Sequence, residues 1–303
     1  MDRIAAMQAF VRVVEAGSFS AVARELRTTQ PSVSKRVAAL ETRLGVKLLA
    51  RSTRHLSLTD EGQRYYEQCR QILEALDEAE GGARRGRRSV AGALRVGTAV
   101  ALGRLKLVAV IGEFLERHPE VTVELALNDR FVDLVEEGID VVLRIGEVQG
   151  AGLIARQIAT SRRVIVAAPG YLRRRGTPRT PRDLANHNCI VYTGLASPQE
   201  WPLATAAGVQ PVRVTGNLRV NSPEAVRAAA LAGIGLALGP RWLFGDALAE
   251  GRLKGVLPQT PPAPQPISAV YPESRRESAK VKAFVEFAAG IFARDPVIAL
   301  DSR

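Results

Sequence analysis

Apolar side chains fall at helical spacing from the start of the chain: Ile4, Met7, Val11 and Val14 recur every three or four positions, and Phe10 widens the same face. Gly17-Ser18 breaks this helix, and Ser18 is placed to cap a short second one carrying Ala21, Val22 and Leu26. Thr28-Thr29-Gln30-Pro31 supplies a third start, because threonine satisfies orphan N–H groups and a proline in the first turn gives up no intrahelical bond. Val33, Val37, Leu40 and Leu44 then form a buried stripe, which Gly45 ends. Residues 46–58, where Arg51, Arg54 and His55 interrupt apolar positions, predict a small two-stranded wing. Thr59 caps a long fourth helix, with Asp60 and Glu61 favourable in its first turn. Its stripe of Tyr65, Cys69, Ile72 and Leu76 predicts pairing with the same helix of a second copy; packing on its own chain is the alternative.

Residues 81–88, two glycines followed by an arginine-rich run, break the pattern and read as a basic hinge. Beyond it strands and helices alternate: strand 94–98, an apolar helix to about 118, strand 121–127, a short helix 131–137 and strand 140–145. Further strands follow at 164–168 and 212–214, separated by proline-rich turns at 177–184. Asn221-Ser222-Pro223-Glu224 leads into an apolar helix, and residues 233–239 return to a buried strand. A proline-rich stretch, 258–266, precedes a last strand at 267–270 and a closing helix to about 292. Such alternation predicts an α/β sheet covered on both faces. The expected domains are 1–58, a linker helix and hinge at 59–91, and 92–303.

Charge sharpens this division. The 303 residues carry a formal net charge of +11. Residues 1–88 hold 16 Lys or Arg against 11 Asp or Glu, a higher excess per residue than the remainder, as expected of a segment that approaches phosphate. Only Cys69 and Cys189 are present, and His55, His118 and His187 are scattered, so no disulfide framework, thiolate cluster or metal site is expected. Neither a basic leader with an apolar core nor a charge-free span of about 20 residues is present, which predicts a cytoplasmic protein that avoids membranes. No nucleophile elbow, phosphate-binding loop or histidine–carboxylate metal signature points to an enzyme.

A short second helix joined by a tight turn to the third allows the third to enter the major groove while the second positions it on the backbone. With Val33, Val37 and Leu40 facing inward, Gln30, Ser32, Ser34, Lys35 and Arg36 remain to meet DNA. Glutamine suits adenine edges, serine makes adaptable hydrogen bonds, and lysine or arginine addresses guanine or phosphate. Arg51 and Arg54 of the wing suit phosphate or the minor groove.

The series Thr29-Gln30-Pro31-Ser32-Val33-Ser34-Lys35-Arg36, Leu40-Glu41, Leu44-Gly45, Leu48-Leu49-Ala50-Arg51 and Leu58-Thr59-Asp60-Glu61-Gly62 resembles the LysR-type transcriptional regulators. Ser32 departs from a frequent alanine and Leu49 from a common phenylalanine. The resemblance implies a winged helix-turn-helix DNA-binding domain plus a long linker helix, working as a homodimer within a homotetramer on double-stranded promoter DNA. RNA polymerase is a further partner consistent with that role.

It also implies a two-lobed α/β periplasmic-binding-protein-like effector domain, with lobe I at about 92–162 and 267–294 and lobe II at about 163–266. No cofactor is implied, only a small organic effector, anionic or aromatic, sensed without conversion. Ligands of open α/β sheets lie outside strand C-termini. That rule selects Thr98, Ala99, Val100, Asp129, Phe131, Arg144 and Ile145 from one lobe, with Asn221, Ser222 and Pro223 facing them from the other. Each has a structural alternative as a helix cap, core filler or solvated charge. A solute receptor explains the two lobes but leaves the N-terminal module idle; a purely structural DNA-binding protein leaves the lobes idle.

Overall fold

The Asp2 carboxylate accepts hydrogen bonds from the amides of Ile4 and Ala5 and so starts the first helix, α1 (Arg3–Ala16), which Gly17 ends in a left-handed conformation. Ser18 caps α2 (Phe19–Glu25), and Thr29 caps α3 (Gln30–Leu44), as the sequence predicts. The computed structural model describes residues 2–51, 56–85, 90–130, 134, 137–148, 150–295 and 297–298, with backbone alone at 51, 71, 74–75 and 77–85. These form two compact units, one made chiefly of residues 1–92 and the other of 93–303 apart from 133–139.

In the first unit a short antiparallel pair, β1 (Leu49–Arg51) and β2 (Leu56–Leu58), follows α3, and α4 (Asp60–Arg85) follows the pair. Phe10, Val22, Val33, Val37, Leu40 and Leu48 make its core. Glu41 is buried with them, accepting from the amides of Leu48 (3.0 Å) and Leu49 (3.3 Å) and pairing with Lys47 at 2.8 Å. Thr59 reinforces this corner: its amide reaches the Leu48 carbonyl, and its hydroxyl donates to the Lys47 carbonyl and accepts from the Gly62 amide. Gly62 is required there, since a Cβ would stand 1.9 Å from the Leu48 carbonyl oxygen.

The turn between α2 and α3 is closed by amide bonds from Thr28 to the Ala23 carbonyl and from Arg27 to the Arg24 carbonyl. That pattern puts Arg27 in the left-handed region, φ +49°, a conformation glycine adopts freely and other residues at a cost of about 1–2 kcal/mol.

The linker stripe divides. Cys69 is fully buried in the core of its own unit, with Tyr65 and Leu73 packed against that core and the Phe10 and Tyr65 rings 5.9 Å apart. Two of the four seam residues predicted for a partner helix therefore pack within the subunit, because α1 offers them an apolar face. Ile72 stands 48% exposed on α4, and Leu76 is half-buried.

The second unit opens with β3 (Gly92–Thr98), then α5 (Val100–Leu102), a π-helical turn at Gly103–Leu107, α6 (Ile111–Arg117), β4 (Val121–Leu127), β5 (Val141–Ile145) and β6 (Leu153–Ser161). A second lobe follows with β7 (Arg163–Ala167), α7 (Pro169–Arg175), β8 (Cys189–Tyr192), β9 (Glu200–Thr205), β10 (Gly208–Arg213), β11 (Arg219–Val220), α8 (Pro223–Leu231), β12 (Leu236–Pro240), α9 (Gly245–Ala249) and β13 (Lys254–Val256). The chain then returns as β14 (Gln265–Pro272) and α10 (Ala279–Arg294).

The first sheet runs β4-β3-β5-β14-β6 and the second β11-β8-β12-β7-β13. Strand β3 is parallel to β5, and β8 is parallel to both neighbours, while β14 and β7 run antiparallel to theirs. The chain leaves the first sheet at Ser161 and rejoins it at Gln265, so the proline-rich stretch is a return crossing. Trp242 donates to the buried Ser161 hydroxyl at 3.0 Å, and Arg163 donates to the Ala263 carbonyl, fixing both crossings. The helix predicted at 131–137 lies largely outside the described residues.

Candidate nucleic-acid interface and ligand cleft

Helix α3 presents its two faces very differently. Val33, Val37 and Leu40 are fully buried, whereas Gln30, Pro31 and Lys35 are exposed and Ser32, Ser34 and Arg36 are half-buried. Thr29 Oγ1 accepts from the Ser32 amide at 3.4 Å, so the first turn is held while its side chains face outward. Arg12 joins α1 to α2 through Glu25 at 2.8 Å and also binds Glu15, which sets the helix preceding the turn. Arg51 lies in β1 opposite Leu56, and Arg54 falls outside the described residues.

In the second unit the predicted cleft residues of the first lobe follow β3 and β4. Thr98 is buried and its hydroxyl donates to the Leu143 carbonyl at 3.1 Å, which commits its proton to the sheet. Ala99 and Val100 start α5, and the Val100 amide donates to Asp129 Oδ1 at 3.0 Å. Burial raises the Asp129 carboxyl above its ordinary range and the nearby Glu224 adds to this, against the Val100 bond. Arg144 and Ile145 are half-buried at the end of β5, where burial lowers the guanidinium pKa. Phe131 falls outside the described residues.

The second lobe contributes Ser222, which caps α8 through the Ala225 amide, with Asn221 exposed and Pro223 half-buried. Three residues that the pattern did not select for the cleft complete the arrangement. Arg104, in the π-helical turn of the first lobe, binds Glu224 of the second at 2.7–2.8 Å. Tyr192, at the end of β8, has its hydroxyl pKa raised by burial and by Asp129. In the sequence Glu224 stands only at the end of the segment that leads into an apolar helix, and nothing there couples it to a residue 120 positions earlier. Among the described residues no cluster of His, Cys, Asp or Glu is arranged to hold a metal, and no helix is long and apolar enough to cross a membrane.

Comparison with known proteins agrees with both halves of this geometry. Residues 4–63 match the model for the bacterial regulatory helix-turn-helix protein, lysR family, and residues 87–293 match the LysR substrate binding domain. The chain is 38% identical to the uncharacterized HTH-type transcriptional regulator YhjC of Escherichia coli K12, covering 96% of this chain and 98% of that one. It is 35% identical to the HTH-type transcriptional regulator CrgA of Neisseria meningitidis serogroup C, covering 92% and 93% respectively. Among solved structures, CrgA from Neisseria meningitidis superposes with a TM-score of 0.61 at 33% identity over 94% of this chain and 97% of that one. The full-length Vibrio cholerae virulence activator AphB gives 0.58 at 27% identity over 94% and 98%.

Proposed function

Since this chain belongs to the LysR family of DNA-binding transcriptional regulators, we propose that it reads double-stranded promoter DNA with α3 and that a small molecule held between its two lobes modulates the outcome. The observation that carries the reading is the asymmetry of α3, whose apolar face is locked into the core while its capped first turn stands exposed. Gln30, Ser32 and Ser34 address base edges, and Lys35, Arg36, Arg51 and Arg54 address base edges or phosphate. Two copies pair through the side of α4 that carries Ile72 and Leu76, and the dimers associate into a tetramer that RNA polymerase meets at the promoter. An exposed isoleucine on a 26-residue helix supports this pairing.

The direct test is base preference. Q30A should flatten discrimination at one operator position by about 1–3 kcal/mol, while general affinity for DNA changes little. Selection of bound sequences from a randomised pool, at fixed salt, reads this. An unchanged preference profile removes Gln30 as a reader, and equal binding of selected and scrambled DNA removes sequence-specific reading altogether.

The cleft reading is supported by the Arg104–Glu224 pair, which joins the π-helical turn of the first lobe to the start of α8 in the second. An effector there alters regulation only if it binds the two lobe arrangements with different affinity, and the coupling is reciprocal. A compound found by calorimetric screening should shift operator affinity, and R144A and S222A should each weaken its binding. A tight ligand that leaves operator affinity, footprint and transcription unchanged counts against regulation by that ligand.

A further inference from the structure

Among the described residues of 1–92, three helix ends close through a left-handed residue, and two of them use glycine, Gly17 after α1 and Gly45 after α3. The third, between α2 and α3, uses Arg27. Its two turn-closing bonds, Thr28 to Ala23 and Arg27 to Arg24, form the pattern in which glycine is the ordinary occupant. Arg27 is exposed, and no hydrogen bond or ion pair of its guanidinium occurs among the described residues. The strained backbone is therefore not repaid by a contact of that side chain inside the unit. The turn lies two residues before the cap of α3, and Arg24, also exposed, stands one turn back on α2.

A residue held in a costly conformation with its charged end unused within the fold suggests a use outside it. We propose that Arg27 is a DNA-backbone contact, a phosphate anchor that reaches from the turn beside the reading helix and holds it in place without reading sequence. Guanidinium suits this task because it stays charged and presents several donors to a phosphate. The proposal rests on α3 being the helix that meets DNA. It adds a contact from the turn, where the sequence pattern marks only a break between helices.

The test compares full-length wild type with R27G, R27N and R27K. Binding is measured by fluorescence anisotropy on two duplexes of equal length, one from the DNA upstream of its own gene and one of unrelated sequence, across a salt series. R27G and R27N should bind both duplexes roughly 3- to 10-fold more weakly, with a salt slope reduced by about one and base preference unchanged. R27K should retain most of the affinity. The melting midpoint of R27G should be at or above that of wild type, because glycine relieves the left-handed backbone. Unchanged affinity and salt slope in both R27G and R27N overturn the proposal, as does a loss confined to the upstream duplex, which would mark a base contact. If Q30A alters base preference while the Arg27 variants bind like wild type, the reading of α3 stands and the anchor alone falls.

Discussion

Replacing Asp140 with alanine should destabilise the two-lobed unit by about 3–5 kcal/mol, the usual penalty for stranding a buried charge by removing its partner. Asp140 is 2% exposed. One carboxylate oxygen faces Arg275 Nε at 3.0 Å, and the other accepts the Arg95 amide at 2.9 Å. Lys280, itself 2% exposed, lies 3.9 Å from the same carboxylate and donates to the Ala93 carbonyl. The carboxylate therefore joins the start of β3 to the segment before β5, to the residues after β14 and to α10. Without it two cations remain buried with less compensation. Urea unfolding followed by tryptophan fluorescence measures the loss in this unit alone, because both tryptophans, Trp201 and Trp242, lie within it. The double variant D140A/K280M should recover part of the loss by removing one stranded charge. A D140A midpoint corresponding to less than about 1 kcal/mol would mean that water or a shifted side chain replaces the carboxylate.

The second large effect belongs to Glu41. E41A deletes the acceptor for the amides of Leu48 and Leu49, and should cost the DNA-binding unit about 2–4 kcal/mol. It should also loosen the corner between α3 and the wing. Burial alone would raise the Glu41 carboxyl; the bonds from Lys47, Leu48 and Leu49 outweigh burial and hold it below the usual range. A carboxyl depressed on folding adds stability above its unfolded pKa, about 4.3, and that stability disappears as pH falls through the lower folded value. Wild type should therefore lose this contribution on acidification, while E41A and E41Q show a shallower acid limb. Calorimetric melting of the full chain as a function of pH makes the comparison. An E41Q acid limb parallel to wild type would assign the dependence to other carboxylates.

What the sequence made legible was local. Caps at Ser18, Thr29 and Ser222 and the left-handed Gly45 depend on residues within one turn of each other, so side-chain chemistry predicts them directly. Strand β6 was missed because its burial does not alternate cleanly: Ala155, Arg156 and Gln157 are successively exposed. The β9–β10 hairpin was reduced to its last residues because Pro202 and Pro211 sit inside its strands, where proline argues against pairing. The long helix expected up to residue 118 is instead interrupted by the π-helical turn, at which Gly103 lies close to Thr98 and Leu127. Periodicity found the apolar face of α4, but one subunit's core and a partner helix reward the same spacing, so it could not assign Cys69. A helix start found Ser222 and a strand end found Thr98, whereas the Arg104–Glu224 bridge is a product of tertiary topology.

The burial of Cys69 has a use beyond packing. Cys69 lies in the first unit and Cys189 in the second, each fully shielded. Burial pushes the Cys69 thiol up to about 11, against a hydrogen bond from Tyr65 that lowers it, and pushes Cys189 up to about 12. At neutral pH neither sulfur offers appreciable thiolate until its surroundings open, since the thiolate is the reactive species. The chain thus carries one chemical clock in each half. The rate at which a thiol reagent modifies each site reports the opening equilibrium of that half separately, in one sample and without added probes. DNA that closes the first unit should slow the clock at Cys69, and an effector that tightens the second should slow the one at Cys189, so a single labelling experiment registers whether an event in one half is felt in the other.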